Sequence, residues 1–262
     1  MKTAFIGGGN MASALIGGLL ASGYNCKDII MAEPDAKKRD FWAEKGICVT
    51  ENNLEAEEFG DIIVFAVKPN IIPMVVTQIK GYTNKIYLSI AAGISLDFLE
   101  EKMGADKKLV RAMPNTPAQV GCGMTVICPN KNLSHDETAV IKKLLTSVGE
   151  VLVMPEKNMS IATALHGSSP AYVYMLIDAM ADAGVSYGLT KKEALVLAAK
   201  AVEGSAKMVL ETGVHPEQLK DNVCSPGGTT IAAVCDLENN GFRSTIQSAI
   251  TACVNKAEEM SK

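Results

Sequence analysis

Residues 3–23 read TAFIGGGNMASALIGGLLASG: a short apolar run, three glycines, then an apolar segment of helical character that closes at Gly23. Within it, Gly7-x-Gly9-x-x-Ala12 lies between strand and helix, the context that a dinucleotide-binding fingerprint requires. The first glycine makes the tight turn, and the second lets the backbone approach a pyrophosphate. Ala12 stands where a third glycine is usual and is still small enough for close helix–strand packing. Two glycines alone are a weak signal; here the flanking strand and helix agree with them.

The neighbouring sequence repeats the alternation. DIIMAE (28–33) reads as a second strand and AKKRDFWAEKG (36–46) as a second helix, closed by Gly46. DIIVFAVKP (61–69) and KIYLSIAAGI (85–94) are unbroken apolar runs, suited to strands buried on both faces of a parallel sheet. LVRAM (109–113), MTVIC (124–128) and VLVMP (151–155) read as further strands, and Ser134-x-x-Glu137 as a capping box opening a helix to about Ser147. Such alternation predicts right-handed βαβ units. An α/β dinucleotide-binding domain is expected over residues 1–157.

Beyond it the strand signals stop. AYVYMLIDAMADAGVSYG (171–188) is helical and closes at Gly188, and Thr190-x-x-Glu193 is a capping box leading the helix 191–211. His215-Pro216 opens a short helix, and two more follow Gly228 and Gly241, so residues 158–262 are expected to be all-helical. The helix from Pro170 is apolar nearly all round, with Asp178 and Asp182 its only charges. A surface helix would carry a polar face. Burial against a second copy of the chain, in an intertwined homodimer, accounts for this, as does burial between two domains of one chain.

The bulk composition excludes several classes. The chain has 262 residues and a formal net charge of −4, with Lys37-Lys38-Arg39 the densest basic cluster, which argues against a nucleic-acid or acidic-membrane partner. The seven cysteines (Cys26, Cys48, Cys122, Cys128, Cys224, Cys235 and Cys253) are scattered and form no C-x-x-C pair, as expected of free thiols in a reducing compartment. With His135, His166 and His215 the only imidazoles, no metal site is expected. The N-terminus runs straight into a strand without a signal-peptide h-region, and no stretch approaches the ~18 apolar residues of a membrane helix. A cytoplasmic, soluble protein is expected.

Glu33 follows Ala12 by 21 positions, close to the ~20 at which an acidic residue binds a ribose 2′-hydroxyl. A carboxylate there accepts from a free diol and repels a 2′-phosphate, which favours NADH; Lys37, Lys38 and Arg39 follow closely and offset that charge. The alternative is a solvated loop residue. In an open sheet the ligand lies outside the carboxyl ends of the strands. Those ends are Val67-Lys68-Pro69-Asn70, Ala91-Ala92-Gly93 and Met113-Pro114-Asn115-Thr116-Pro117. Lys68 either serves a phosphate or caps a strand end. No Ser-His-Asp arrangement, metal cluster or phosphate-binding G-x-x-x-x-G-K-[ST] loop is present. Alcohol dehydrogenation needs a general base, and the candidates are poor. An imine, electrophilic once protonated, needs less proton chemistry.

A second glycine loop, DNVCSPGGTTIAAVCDLE (221–238), opens a helix near the C-terminus and suits an anion. Together with FIGGGNMA, FAVKPNIIP, SIAAGIS, RAMPNTPAQVGCG and SSPAYVYMLIDAMADAGVSYGL, it resembles the pyrroline-5-carboxylate reductase family, nearly end to end. The resemblance implies a Rossmann-type NAD(P)-binding domain and a helical C-terminal domain interlocked with a partner's. It implies a homodimer, in some members a pentamer of dimers, and NADH- or NADPH-dependent reduction of Δ1-pyrroline-5-carboxylate to L-proline, the last step of proline synthesis.

By the same resemblance, Ile6, Gly7, Gly8, Gly9, Asn10 and Met11 hold the pyrophosphate. Asn53, Ala66, Val67, Lys68 and Pro69 contact the nucleotide, with Ile90, Ala91 and Ala92 near the nicotinamide. Thr230, the catalytic candidate, hydrogen-bonds the substrate near its ring nitrogen; Ser225, Gly227, Gly228 and Thr229 cradle its carboxylate, and Asn222 is grouped with them. Two features depart from the pattern. His166-Gly167-Ser168-Ser169-Pro170 replaces the usual Ser-Gly-Ser-Gly-Pro, and Glu33 stands where NADPH-using members carry small or basic residues. His166 is either a helix-end residue or, facing the cleft, a group that alters pH dependence. The rival readings are a β-hydroxyacid-type dehydrogenase, disfavoured because SSPAYVYMLIDAM offers no lysine, and a non-catalytic nucleotide-binding regulator, disfavoured by the intact Ser225–Thr230 loop.

Overall fold

In the computed structural model, which describes residues 1–260, the fingerprint becomes β1 (Thr3–Ile6), a glycine turn and α1 (Asn10–Ala21). Ala12, Leu15, Ile16 and Leu19 are the buried residues of α1, one stripe at helical spacing. There follow β2 (Ile29–Ala32), α2 (Ala36–Ala43), β3 (Cys48–Thr50), α3 (Asn53–Phe59), β4 (Ile62–Phe65), α4 (Ile72–Thr77), β5 (Ile86–Ser89), α5 (Leu96–Met103) and β6 (Lys108–Met113). Then come β7 (Gly123–Pro129), α6 (His135–Leu145) and β8 (Gly149–Val153).

The strands form one sheet in the order β3-β2-β1-β4-β5-β6-β7-β8. β1, β2, β4 and β5 are buried at every position, as their unbroken apolar runs predict. Alternate residues feed the two faces: Phe5, Met31 and Val64 pack under α1, while Ala4, Ile63 and Phe65 meet Ile72 and Leu99 on the other side. The pairings are parallel except β6–β7, which is antiparallel. The connection from Met113 to Gly123 is too short to carry a crossover helix and return a parallel strand. The sequence signal of MTVIC carries no direction, so this reversal was not expected.

The chain divides into two compact units: Met1–Ser168 together with the end of the chain from Val254, and Ser169–Cys253. In the first, α7 (Met159–Ala162) runs into a π-helical turn at Thr163–Gly167. The second is all-helical, with α8 (Ser169–Ser186), α9 (Lys191–Thr212), α10 (Pro216–Val223), α11 (Thr229–Asn239) and most of α12 (Phe242–Met260). The Ser134 and Thr190 capping boxes both form. α8 and α9 pack together, and both charges of α8 are met by one residue of α9: Lys191 Nζ donates to Asp178 at 2.6 Å and to Asp182 at 2.5 Å. Only Pro170 and Ala181 of α8 are buried in the single chain. Among the described residues, no helix is long and apolar enough to cross a membrane.

Candidate active site

The carboxyl ends of β2, β1 and β4 border a cleft of about 510 Å³. Its wall brings together Ile6, Gly7, Gly8, Gly9, Glu33, Asn53, Ala66, Val67 and Lys68. Gly7 sits at φ +102°, and a Cβ there would lie 2.6 Å from the Ala66 carbonyl oxygen, so no side chain fits between the turn and the end of β4. Gly9 caps α1 with extended backbone and offers no side-chain hydrogen bond, which leaves the first N–H groups of the helix for a ligand. A flat, glycine-lined wall beside a helix N-terminus fits a pyrophosphate.

Glu33 is not a solvated loop residue; it is 7% exposed. Its Oε2 accepts the Gly8 N–H at 2.6 Å and its Oε1 accepts the Asp35 N–H at 3.1 Å, with Lys38 Nζ 3.8 Å away. Arg39, the nearest guanidinium, donates to the carbonyls of Glu33 (2.7 Å) and Pro34 (2.8 Å) and pairs with Glu51. Its fork is thereby committed to holding the β2 and β3 ends together. Of the basic cluster, Lys38 is the member that lines the cleft.

Asn53, at the start of α3, donates through Nδ2 to Gln78 Oε1 at 2.6 Å. Both rest on a buried support. The Glu57 carboxylate, 0% exposed, accepts Lys80 N–H, Gly81 N–H and the Tyr87 hydroxyl. Burial, and then the hydrogen bond to Glu57, push the Tyr87 phenol well above its ordinary range, so it stays a donor. Glu51, Met74 and Gln78 complete the cleft and carry no local sequence mark. Asn10 and Met11 open α1 and Pro69 opens a 3₁₀ turn; none of them lines the cleft, and Met11 packs against the core.

The next strand ends, those of β5 and β6, border a smaller pocket of about 50 Å³ lined by Ala91, Ala92, Gly93 and Arg111. Ile90 instead packs on the core. In the stretch after β6, Asn115 is buried and its side chain is engaged by the protein. That side chain donates to the His166 carbonyl at 3.0 Å and accepts the Met124 N–H at 2.8 Å. The His166 ring sits between two carbonyl oxygens, Nδ1 2.5 Å from that of Ala162 and Nε2 2.7 Å from that of Met113, and its tautomer sets which of the two accepts its N–H. It spans from the π-helical turn to the end of β6.

In the second unit, the Ser225–Thr230 loop joins α10 to α11. Gly227 is at φ +67°, and a Cβ on Gly228 would meet Ser225 Oγ at 2.3 Å. Gly228 caps α11 without a side-chain hydrogen bond, so the N–H groups of its first turn, at Thr229 and Thr230, open onto the loop. Asn222 lies one turn earlier on α10, held by Gln218 at 2.9 Å. The loop is framed by Arg243, which bonds Glu217 of α10 at 2.8 Å and Glu238 of α11 at 2.6 Å. Lys220 and then Arg243 hold the Glu217 carboxyl down at about 2. Among the described residues, no three His, Cys, Asp or Glu side chains are grouped to hold a metal ion.

Comparison with known proteins bears on both units. Residues 156–260 match a family model for pyrroline-5-carboxylate reductase dimerisation, and residues 2–93 match one for NADP oxidoreductase, coenzyme F420-dependent. The pyrroline-5-carboxylate reductase of Escherichia coli (strain K12) is 47% identical over 100% of this chain and 98% of its own length. That of Arabidopsis thaliana is 40% identical, over 100% and 96%. Two solved structures superpose along the whole chain. A pyrroline-5-carboxylate reductase from Coxiella burnetii has a TM-score of 0.93 at 36% identity, covering 100% of this chain and 98% of its own. The Plasmodium falciparum pyrroline carboxylate reductase with NADP bound has a TM-score of 0.91 at 36% identity, with the same coverage. A Rossmann-type sheet with a glycine cradle, followed by a helical unit with its own glycine loop, thus agrees with full-length relatives, and the chain belongs to the pyrroline-5-carboxylate reductase family.

Proposed function

We propose that this NAD(P)H-dependent oxidoreductase of proline biosynthesis reduces Δ1-pyrroline-5-carboxylate to L-proline with NADH as its preferred reductant. The family assignment supports the reaction and leaves the hydroxyacid dehydrogenase and regulator readings unfavoured. The observation that carries the cofactor preference is the buried Glu33 carboxylate, fixed by Gly8 and Asp35 at the end of β2. The Plasmodium relative binds NADP. In this chain a 2′-phosphate would meet that carboxylate, with Arg39 already engaged elsewhere and Lys38 the one member of the basic cluster that lines the cleft.

When bound, the reduced nicotinamide supplies the hydride. The protein's part is placement. In this reading Gly7, Gly8 and Gly9 and the start of α1 hold the pyrophosphate, Glu33 accepts the ribose diol, and Asn53 with Ala66, Val67 and Lys68 flanks the nucleotide. Ala91 and Ala92 border the ring end. Thr230 donates or accepts a hydrogen bond at the substrate's ring nitrogen, while Ser225, Gly227, Gly228, Thr229 and Asn222 hold its carboxylate. A protonated imine is already electrophilic, so no dedicated general base is required, and orientation accounts for most of the rate.

The division of labour falls at 157/158, and the dimerisation match opening at residue 156 supports it. That match, and an α8 on which Tyr174 is 58% and Met175 72% exposed in the single chain, support a homodimer. Assembly of dimers into a pentamer and a cytoplasmic location belong to the same proposal. Proline-dependent reduction of NAD⁺ at alkaline pH, run against 3-hydroxy acids as donors, tests the reaction. Activity with the hydroxy acids alone, or with neither, overturns it.

A further inference from the structure

We propose that Arg111 is a cofactor-positioning residue whose guanidinium, steered by Glu156, donates to the carboxamide oxygen of the nicotinamide. In the apolar strand LVRAM, Leu109 and Val110 are 0% exposed and Ala112 2%, and the Arg111 side chain itself is only 9% exposed. A guanidinium is not taken out of water without partners. Glu156 is one: Arg111 Nη1 donates to its Oε1 at 2.8 Å. The same oxygen accepts the Leu96 N–H of the first turn of α5 at 2.8 Å, so the carboxylate is pinned and the guanidinium with it.

A guanidinium carries five N–H donors in a rigid fork. Among the described residues, Nη1 is the only side-chain nitrogen of Arg111 with a hydrogen bond. Among the described residues no side-chain nitrogen or oxygen is sealed from solvent without a partner, so the other two nitrogens touch open space. The open space that Arg111 lines is the pocket at the ends of β5 and β6. Its other walls include Ala91, Ala92, Gly93, Met159 and Met260, with Ser160 and Thr163 the hydroxyl residues, and a Cβ on Gly93 would lie 3.1 Å from the Met260 carbonyl oxygen. The pocket is therefore mostly apolar and large enough for one small planar group.

Sheet order says which group. The nucleotide cleft covers the ends of β2, β1 and β4, and β5 and β6 come next. A dinucleotide laid from Glu33 across the glycine turn brings its ring end to Ala91. The carboxamide is the polar substituent of that ring, and its oxygen is an acceptor for the fork. This inference rests on the cofactor reading above.

Arg111→Lys keeps a cation beside Glu156 and removes the fork. The purified homodimer is titrated with NADH and with ADP-ribose, which lacks the nicotinamide. NADH should bind about tenfold more weakly, as for one lost hydrogen bond from a charged donor, and ADP-ribose should bind as to wild type. Equal weakening of both, or no weakening of either, overturns the proposal. So does unchanged NADH binding with a raised KM for pyrroline-5-carboxylate, which would give the fork to the substrate carboxylate. If Arg111→Lys does not fold, Arg111→Gln combined with Glu156→Gln leaves no unpaired buried charge and carries the same test. A wild type that bound neither ligand would instead overturn the cofactor reading itself.

Discussion

The Gly8 N–H donates to Glu33 Oε2 at 2.6 Å, so the residue at the end of β2 is tied to the glycine turn that follows β1. The acceptor proposed to choose between cofactors and the turn proposed to hold their phosphates are one rigid piece. Removing the carboxylate therefore has two consequences. Glu33→Ser should raise kcat/KM for NADPH by ending repulsion of the 2′-phosphate. It should lower kcat/KM for NADH by about 10- to 100-fold, the value of a hydrogen bond to a charged group. Glu33→Gln, which keeps an acceptor for Gly8 but not the charge, should show the NADPH gain with a smaller NADH loss. Steady-state kinetics of the two variants with both cofactors checks this, and unchanged ratios would remove Glu33 from the site.

Thr230→Ala should leave NADH affinity as it is and lower turnover. One oriented hydrogen bond at the reacting centre is worth ~1–3 kcal/mol of transition-state stabilisation. Gly228→Ala should act differently. Its Cβ would meet Ser225 Oγ, so that hydroxyl must turn out of its place in the loop and the Ser225 carbonyl, 3.1 Å from the Cβ, must give slightly; the expected sign is a raised KM for the substrate at unchanged NADH affinity. Wild-type kinetics for either variant would dissociate the loop from the substrate.

The exposed face of α8 predicts obligate assembly. Tyr174, Met175, Leu176 and Met180 are 58%, 72%, 40% and 41% exposed in the single chain. Leaving ~600 Å² of apolar surface wet costs ~15 kcal/mol at ~25 cal/mol per Å². That is as large as the upper end of a typical domain's net stability. Unfolding should therefore depend on protein concentration, and Leu176→Asp should give aggregated or unfolded chain. Light scattering that found a stable species of about 27.8 kDa at micromolar concentration, for either protein, would contradict this.

Glu217 gives a pH prediction. Lys220 and then Arg243 hold its carboxyl at about 2, below the unfolded value of about 4.3. A depressed folded value contributes stability above the unfolded one, and that contribution is lost as pH falls from about 4.3 toward 2. Melting curves of wild type and Glu217→Gln should differ at neutral pH and converge on acidification. Because the Glu217 side chain is solvent-exposed in the single chain, the gap should be small and should shrink with salt. A gap that persists at the acid end would mean that the glutamate acts by packing.

Much of this was legible in the sequence because long apolar runs and glycine turns are local signals. β1, β2, β4 and β5 fall inside their quoted runs, and Gly7 and Gly228 sit where a side chain would clash. What escaped was short or assembled at a distance. β3 has only three residues, all half-buried, and α3 and α4 span seven and six, too few for a period to show. Gln78 lines the cleft, bonded there to Asn53, which comes 25 residues earlier. Arg111 was visible as a charge inside LVRAM, but its pairing with Glu156 is 45 residues away and left no pattern. His166, an oddity in sequence, lies between two carbonyls whose positions only the fold supplies.

The most direct measurement is the oxidation of NADH and of NADPH by the purified chain with Δ1-pyrroline-5-carboxylate, under one set of conditions, followed at steady state. L-proline should form with both, with the higher kcat/KM for NADH. A higher kcat/KM for NADPH would contradict the role given to Glu33, and no oxidation of either cofactor would contradict the function itself.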